Sequence, residues 1–420
     1  MSRAELQQPI LDDGIRSINF FNGRLLTGRD LTREQMANRA VDLRLGKAVG
    51  DGIAGGFEVS PSKSLQSTIS SPLLTVTPGL AINRRGQTLQ LAREIDIGLV
   101  REPGSNTGQG FNECVPLQTG TYIAGAGVYL LTVSPAQTTE GLAPVAGLDL
   151  GIASCNTDTI VSTLQFRLIQ LNSTLTDAEL HDENHLRNLL AYRCFGVEAS
   201  KAALTDPFGA ELQQYGLLDS LRPNRLTDCD VPLAILYWTL SGGVGFVDMW
   251  SVRRRLTRQS LAGSWSWCVD DRRAREGEAM LLQFQDQLQD LAAQASPQTV
   301  IAAQHFNYLP PIGAIPHEDN VSGAGFDYET FFAGMKYRKP VFIEGAKVEP
   351  LIRRCLNYPP TDLHSGEMVW LYWVAQNMMT IEKRPARLPR AYLIFTSGHV
   401  PYQGQGQYDL AHCNFGNYAI

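Results

Sequence analysis

The chain has 420 residues, room for about three domains of ordinary size, and its 44% hydrophobic content is enough for globular cores. Thirty-six basic against forty-two acidic residues leave a net charge of -6, the wrong sign for a protein that holds nucleic acid through its overall field. The opening MSRAELQQPILDDGIRS lacks the apolar core of a signal peptide and no run approaches the roughly 18 uncharged apolar residues of a membrane span, so the expectation is a cytosolic chain.

From Ile18 to Asn22 the sequence is strand-like. Thr27 and Asp30 then have the spacing of a capping box, and a helix should run to about Ala48. Met36, Ala40 and Leu43, widened by Val41, Leu45 and Ala48, form a broad apolar stripe that should pack on the following sheet. That sheet is expected from Ile53–Val59 and from the segment around Leu80–Leu91, where Asn83–Gly86 reads as a turn. Residues 101–120 look like a loop or boundary. Tyr122–Val133 and Ile160–Leu171 read as strands separated by a weakly patterned stretch, and a capping box at Thr176–Glu179 opens a helix that Gly196 should close.

The chain is organised around residues 226–256, where two apolar runs flank Gly242-Gly243 as in a β-hairpin. A two-residue turn would set Trp238 opposite Val247, Ile235 opposite Trp250, and Asp230 opposite Arg255 at the open end. Leu233, Ile235 and Tyr237 would share one face, and Ala234, Leu236 and Trp238 the other, so both faces look covered. A helix from about Asp270 to Ala295 carries Leu281, Phe284, Leu288, Leu291 and Ala295 at heptad-like spacing, with packing inside the chain favoured over a coiled coil between chains. Short strands follow. The fold class is therefore α+β and β-rich, with antiparallel sheets or sandwich-like domains, a central Gly-Gly hairpin and three longer helices. Domain boundaries are expected at 1–115, 116–225 and 226–420.

Chemical motifs are sparse. Gly50-Asp51-Gly52-Ile53-Ala54-Gly55 matches a dinucleotide pattern on paper, but it lies between a helix and a strand in the wrong order and reads as a turn. His181 and His185, four apart on the expected helix, would share a face, yet HDENH lacks the glutamate of H-E-x-x-H, so surface histidines are favoured over a metal site. Seven cysteines, scattered singly with no Cys-x-x-Cys pair, read as reduced thiols. No nucleophile elbow, phosphate loop or calcium loop occurs, and no cofactor is expected. Asp228, Asp230 and Asp248 are candidates for a carboxylate pair, with structural ion pairs to the Arg253–Arg255 run favoured instead. Trp265 and Trp267, with Tyr402 and Tyr408, could form an interface or a glycan-stacking platform.

The segment Ile18-Asn19-Phe20-Phe21-Asn22-Gly23-Arg24-Leu25-Leu26-Thr27, with Asp30-Leu31 and Glu34-Gln35, resembles the opening of a bacterial family associated with phage-tail-like contractile injection systems. The resemblance continues through Gly52–Val59, Val76–Arg85, Asp228–Leu233, Phe246–Trp250, Phe306–Pro311 and Phe342–Gly345, and so spans the chain. It implies a non-enzymatic structural part of a tail-like particle, at the baseplate or its periphery. The implied partners are other tail or baseplate subunits and further copies of the chain in a symmetric assembly, without nucleic acid, inside the producing bacterium until lysis or docking at a membrane. A receptor- or glycan-binding, fibre-like protein with a target-surface glycan or membrane-associated receptor is the first alternative. A cell-wall glycan hydrolase is the second.

Overall fold

The computed structural model describes residues 14–69, 71–99, 126–145, 154–200, 216–222, 224–256, 272–293, 296–317, 325–375 and 391–398. Helix α1 (Gly28–Val49) starts at the expected capping box, with the Thr27 side chain accepting from the Asp30 amide and the Asp30 carboxylate accepting from the Thr27 amide. It leads into two small antiparallel sheets. Strands β1 (Gly52–Gly56), β4 (Gly79–Ile82) and β5 (Thr88–Leu91) form one, in the order β1-β4-β5; β2 (Val59–Pro61), β3 (Leu73–Val76) and β6 (Ile95–Gly98) form the other, in the order β2-β3-β6. The β4–β5 turn is held as expected, because the Asn83 side-chain oxygen accepts from the Arg85 and Gln87 amides.

The largest sheet contains β7 (Gly127–Val145), β8 (Ser154–Gln170), β9 (Val231–Thr239) and β10 (Gly243–Asp248), in the order β10-β9-β7-β8. β7 and β8 extend well past the two strands anticipated and pair continuously from Tyr129↔Gln170 out to Val145↔Ser154. The stretch that looked unpatterned is a long hairpin arm. Its outer residues Thr138–Gly141 and Asp158–Ile160 are exposed on both faces, so no inside-outside alternation marks it in the sequence.

The central hairpin forms in a different register from the expected one. Thr239 pairs with Gly243, leaving a three-residue loop whose Gly242 amide donates to the Thr239 hydroxyl. Only Gly243 takes a positive φ, +71°, as loops of this length require at the residue re-entering the strand. Trp238 therefore faces Val244 rather than Val247, and Ile235 faces Asp248 rather than Trp250. A second irregularity lies between Leu131 and Thr132, which pair with Ala234 and Pro232 and leave Leu233 unopposed. Proline removes a ladder donor there, and the bulge brings Leu233 to the same side as Ala234, Leu236 and Trp238, correcting the simple alternation. Both faces of β9 are covered: that side joins the two N-terminal sheets, while Ile235 joins Val128, Leu130 and Ile169 under a helix.

That helix is α3 (Glu183–Phe195), preceded by the single-turn α2 (Asp177–His181). The one helix anticipated is broken at Asp182, whose φ of -89° and ψ of 75° leave the helical region and whose carboxylate caps α3. α3 ends on Gly196 in the left-handed conformation, where expected. Helix α4 (Arg272–Ala292) buries Phe284, Leu288 and Leu291 of its heptad-like seam within this chain. It packs on a sheet of β11 (Ile312–Pro316), β15 (Tyr392–Thr396) and β14 (Met368–Val374), with β12 (Lys336–Tyr337) and β13 (Val341–Ile343) lying parallel to β14. Helix α5 (Val348–Cys355) covers the opposite face through Leu351 and Cys355. Cys194 and Cys355 are free and buried, but Cys229 is disulfide-bonded, so the expectation of uniformly reduced thiols does not hold.

α1 departs most from expectation. Its buried residues are Ala37 and Gly46, while Met36, Val41, Leu45 and Val49 of the apolar stripe and its flank face solvent. Contact with the β4–β5 turn is made by backbone: a Cβ at Gly46 would overlap the Gly86 carbonyl. Gly46→Ala should therefore cost about 1–3 kcal/mol through overpacking, despite the better helix propensity of alanine. Urea unfolding and protease sensitivity near α1 would measure it, and an unchanged midpoint would contradict the close approach. Three helix starts also carry carboxylates held below their ordinary range. Asp30 is held there first by the Thr27 hydroxyl and Glu179 first by the Thr176 amide; at Asp327, burial pushes upward but the Thr330 hydroxyl and amide outweigh it. A depressed folded value means stabilisation that is full above the ordinary pKa of about 4 and drains as pH falls through the folded values. Melting temperatures should fall below about pH 4, and Asp327→Asn should flatten that acid limb.

Candidate functional site

The end of the central hairpin carries a dense network of hydrogen bonds and ion pairs. Asp248 is buried; one carboxylate oxygen accepts from the Trp250 and Ser251 amides and the other from the Ser251 hydroxyl. The resulting turn sends Arg253–Arg255 in three directions. Arg253 donates to the Phe57 carbonyl at 3.1 Å and the Gly56 carbonyl at 2.5 Å; Arg254 donates to the Trp250 and Ser251 carbonyls and lies 4.8 Å from the Phe195 ring centre. Arg255 pairs with Glu278 on α4 at 2.8 Å, and its backbone runs beside Ile53. This basic run is a clamp, with Arg253 partly buried and its pKa lowered first by that burial. Asp230, expected opposite Arg255, instead places both oxygens 2.7 Å from Arg167 and accepts from the Thr227 amide and hydroxyl.

Arg187 on α3 closes the other side. Its Nε is 3.7 Å from Asp248, and its terminal nitrogens reach Asp286 at 2.5 Å and Asp290 at 2.6 Å on α4. Burial opposes the guanidinium charge, but the three carboxylates outweigh it and raise its pKa. The neighbouring Asn188 accepts from the Asn307 and Tyr308 amides, and the buried Tyr308 hydroxyl donates to Gln283. Burial pushes the Cys194 thiol up to about 12, which keeps it protonated and unreactive at neutral pH. The arrangement locks elements together, and most of its polar groups are spent on one another; the buried Arg187 Nε and Asn188 Nδ2 make no hydrogen bond.

The other candidates separate. Asp228 is paired with Arg222 at 3.2 Å. His181 and His185 fall on different helices. The His181 Nδ1 faces the Asp177 carbonyl, while the His185 ring spans the Asp182 carboxylate at 2.8 Å and the Ala303 carbonyl at 3.1 Å. Among the described residues no group of three or more His, Cys, Asp and Glu side chains could hold a metal ion. Trp265, Trp267, Tyr402 and Tyr408 lie outside the described residues.

What sequence reading missed is surface. Phe20, Phe21, Leu25, Leu26, Leu31, Met36, Val41, Leu45 and Val49 are all exposed, Leu25 at 89% and Phe21 at 63%. Their hydrophobicity was plain in the sequence; that nothing described covers them was not. Beside α1 a groove of about 640 Å³ runs between Arg39 and Asp42, the β4–β5 turn and the base of the β7–β8 arm at Pro135–Gln137. No described helix is long and apolar enough to cross a membrane. The chain matches no protein-family model and no curated protein.

Removing the central cation should be costly. Arg187→Met removes the guanidinium that faces the buried Asp248 at 3.7 Å, and a loss of about 3–5 kcal/mol is expected. Asp248 keeps its turn hydrogen bonds, which favours the lower figure. Adding Asp248→Asn should restore part of the loss in chemical denaturation, whereas additive losses would show that the two residues do not interact.

Proposed function

We propose that the chain is a structural subunit of a phage-tail-like contractile injection particle, at the baseplate or its periphery, acting through protein–protein interfaces and not through catalysis. One observation carries this reading: the segment Ile18–Leu31, which bears much of the sequence resemblance, also holds Phe20, Phe21, Leu25, Leu26 and Leu31 exposed to solvent. Apolar side chains gathered in one short lead and helix are what an interface uses, because removing them from water favours association. The absorption of Asp230, Asp248 and the arginine run into structural bonds agrees with an assembly role. The partners in this reading are other tail or baseplate subunits, met in the cytoplasm of the producing bacterium.

Tagged protein in its native host should sediment with sheath and tube proteins in one particle, identified by mass spectrometry and negative-stain microscopy. A Phe21→Asp, Leu25→Asp, Leu45→Asp variant should fold, since all three positions are exposed, and leave the particle fraction. Wild-type protein remaining at the top of the gradient would overturn the assignment and direct attention to glycan binding.

A further inference from the structure

The β7–β8 arm has one edge that the described chain leaves open. β8 is 17 residues long and forms the border of its sheet, and among the described residues only β7 pairs with it. β9 supports β7 only over Gly127–Val133, so from Ser134 outward the arm is a two-stranded ribbon. At its base Leu164, Phe166 and Leu168 pack on the core, but Asp158–Ile160 are exposed, with Ile160 at 68%. Two strands alone are marginally stable in water, and an edge strand offers a row of backbone donors and acceptors to any strand that can reach it.

Proteins usually guard such edges with proline, lysine, glycine bulges or shortness. β8, SCNTDTIVSTLQFRLIQ, has none of these, and its pairing with β7 shows no register shift. The other borders are guarded. The outer edge of β7 carries one proline, since Pro135 and Pro144 lie an odd number of residues apart in an unshifted register and so face opposite edges, and β10 is six residues long, with a register shift between Val244 and Phe246. The open edge is thus specific to β8.

We propose that β8 pairs antiparallel with β8 of a second copy about a two-fold axis perpendicular to the sheet, joining the two four-stranded sheets into one. Length is the first argument: the outer edge of β7 is free only from Ser134 to Val145 and carries a proline, no other described strand exceeds nine residues, and only another β8 matches this edge along its run. Charge is the second. β8 carries one Asp158 and one Arg167, the latter held by Asp230, and Thr159–Gln165 is uncharged, so self-pairing about that stretch opposes no like charges. Thr159, Ile160, Val161 and Thr163 are β-branched and favour a pleated partner. Closure is the third, because a two-fold contact uses β8 on both sides and the guarded β10 edge does not propagate it. This dimer goes beyond the particle assignment and does not depend on it.

Sedimentation velocity of the purified full-length protein should show a concentration-dependent dimer. Thr159→Lys with Ile160→Lys places charges on both faces of the exposed stretch and should weaken the dimer about tenfold or more, with the circular dichroism spectrum unchanged. Single spin labels at Thr157, Ile160 and Thr163 should give short interspin distances with a minimum along the strand, the mark of an antiparallel two-fold. A monomer at all concentrations, a dimer indifferent to the lysines, or label distances without a minimum would each overturn the proposal.

Discussion

The molecule depends on the turn that follows its central hairpin. Asp248 cannot stay buried as a carboxylate without donors, and it obtains them from the Trp250 and Ser251 amides and the Ser251 hydroxyl. That requirement shapes the turn, and the turn aims three consecutive arginines at three different elements. Arg253 satisfies the carbonyls at the end of β1, Arg254 lies against Phe195 of α3, and Arg255 reaches Glu278 of α4. Arg187 completes the arrangement from α3 by facing Asp248 while binding two α4 carboxylates. Buried charges are retained here because each finds several partners; a single unpaired one would be costly.

Around this centre the cores follow. One face of β9 and β7 binds the N-terminal sheets through Trp238, Leu236 and Leu131, and the other binds α3 through Ile235 and Val128. The C-terminal sheet builds its own core beneath α4, and Phe195, Met280 and Tyr308 connect the two halves. The periphery contrasts with this. α1 touches its neighbour through small residues and keeps its large ones outside, and the β7–β8 arm leaves the body with both faces wet. A firmly bonded centre thus carries extensions that the described residues leave partly uncovered.

Several features were legible in the sequence because they are local. The Thr27 and Thr176 capping boxes, the Asn83 turn, the Gly196 helix stop and the heptad-like seam of α4 each depend on residues within a turn or two of one another. A hairpin at Gly242-Gly243 was legible for the same reason. Its register was not, since the Thr239 hydroxyl bond and the bulge at Leu233 decide that by one or two residues, and hydrophobicity on both faces gives no alternation to count.

The sequence by itself determined where the two capped helices begin, that both faces of the central hairpin are buried, and that the class is α+β with mainly antiparallel sheets. Only the tertiary structure decided which apolar residues are covered, because a stripe on α1 and a seam on α4 look alike until a neighbour is placed against one and not the other. It likewise decided that Asp230 meets Arg167 across a sheet, that the arginine run turns inward, and that two distant strands continue into one arm. The physical reason is common to all of these. Local propensity acts over a few residues, whereas burial, charge pairing and strand register are set by partners tens or hundreds of positions away.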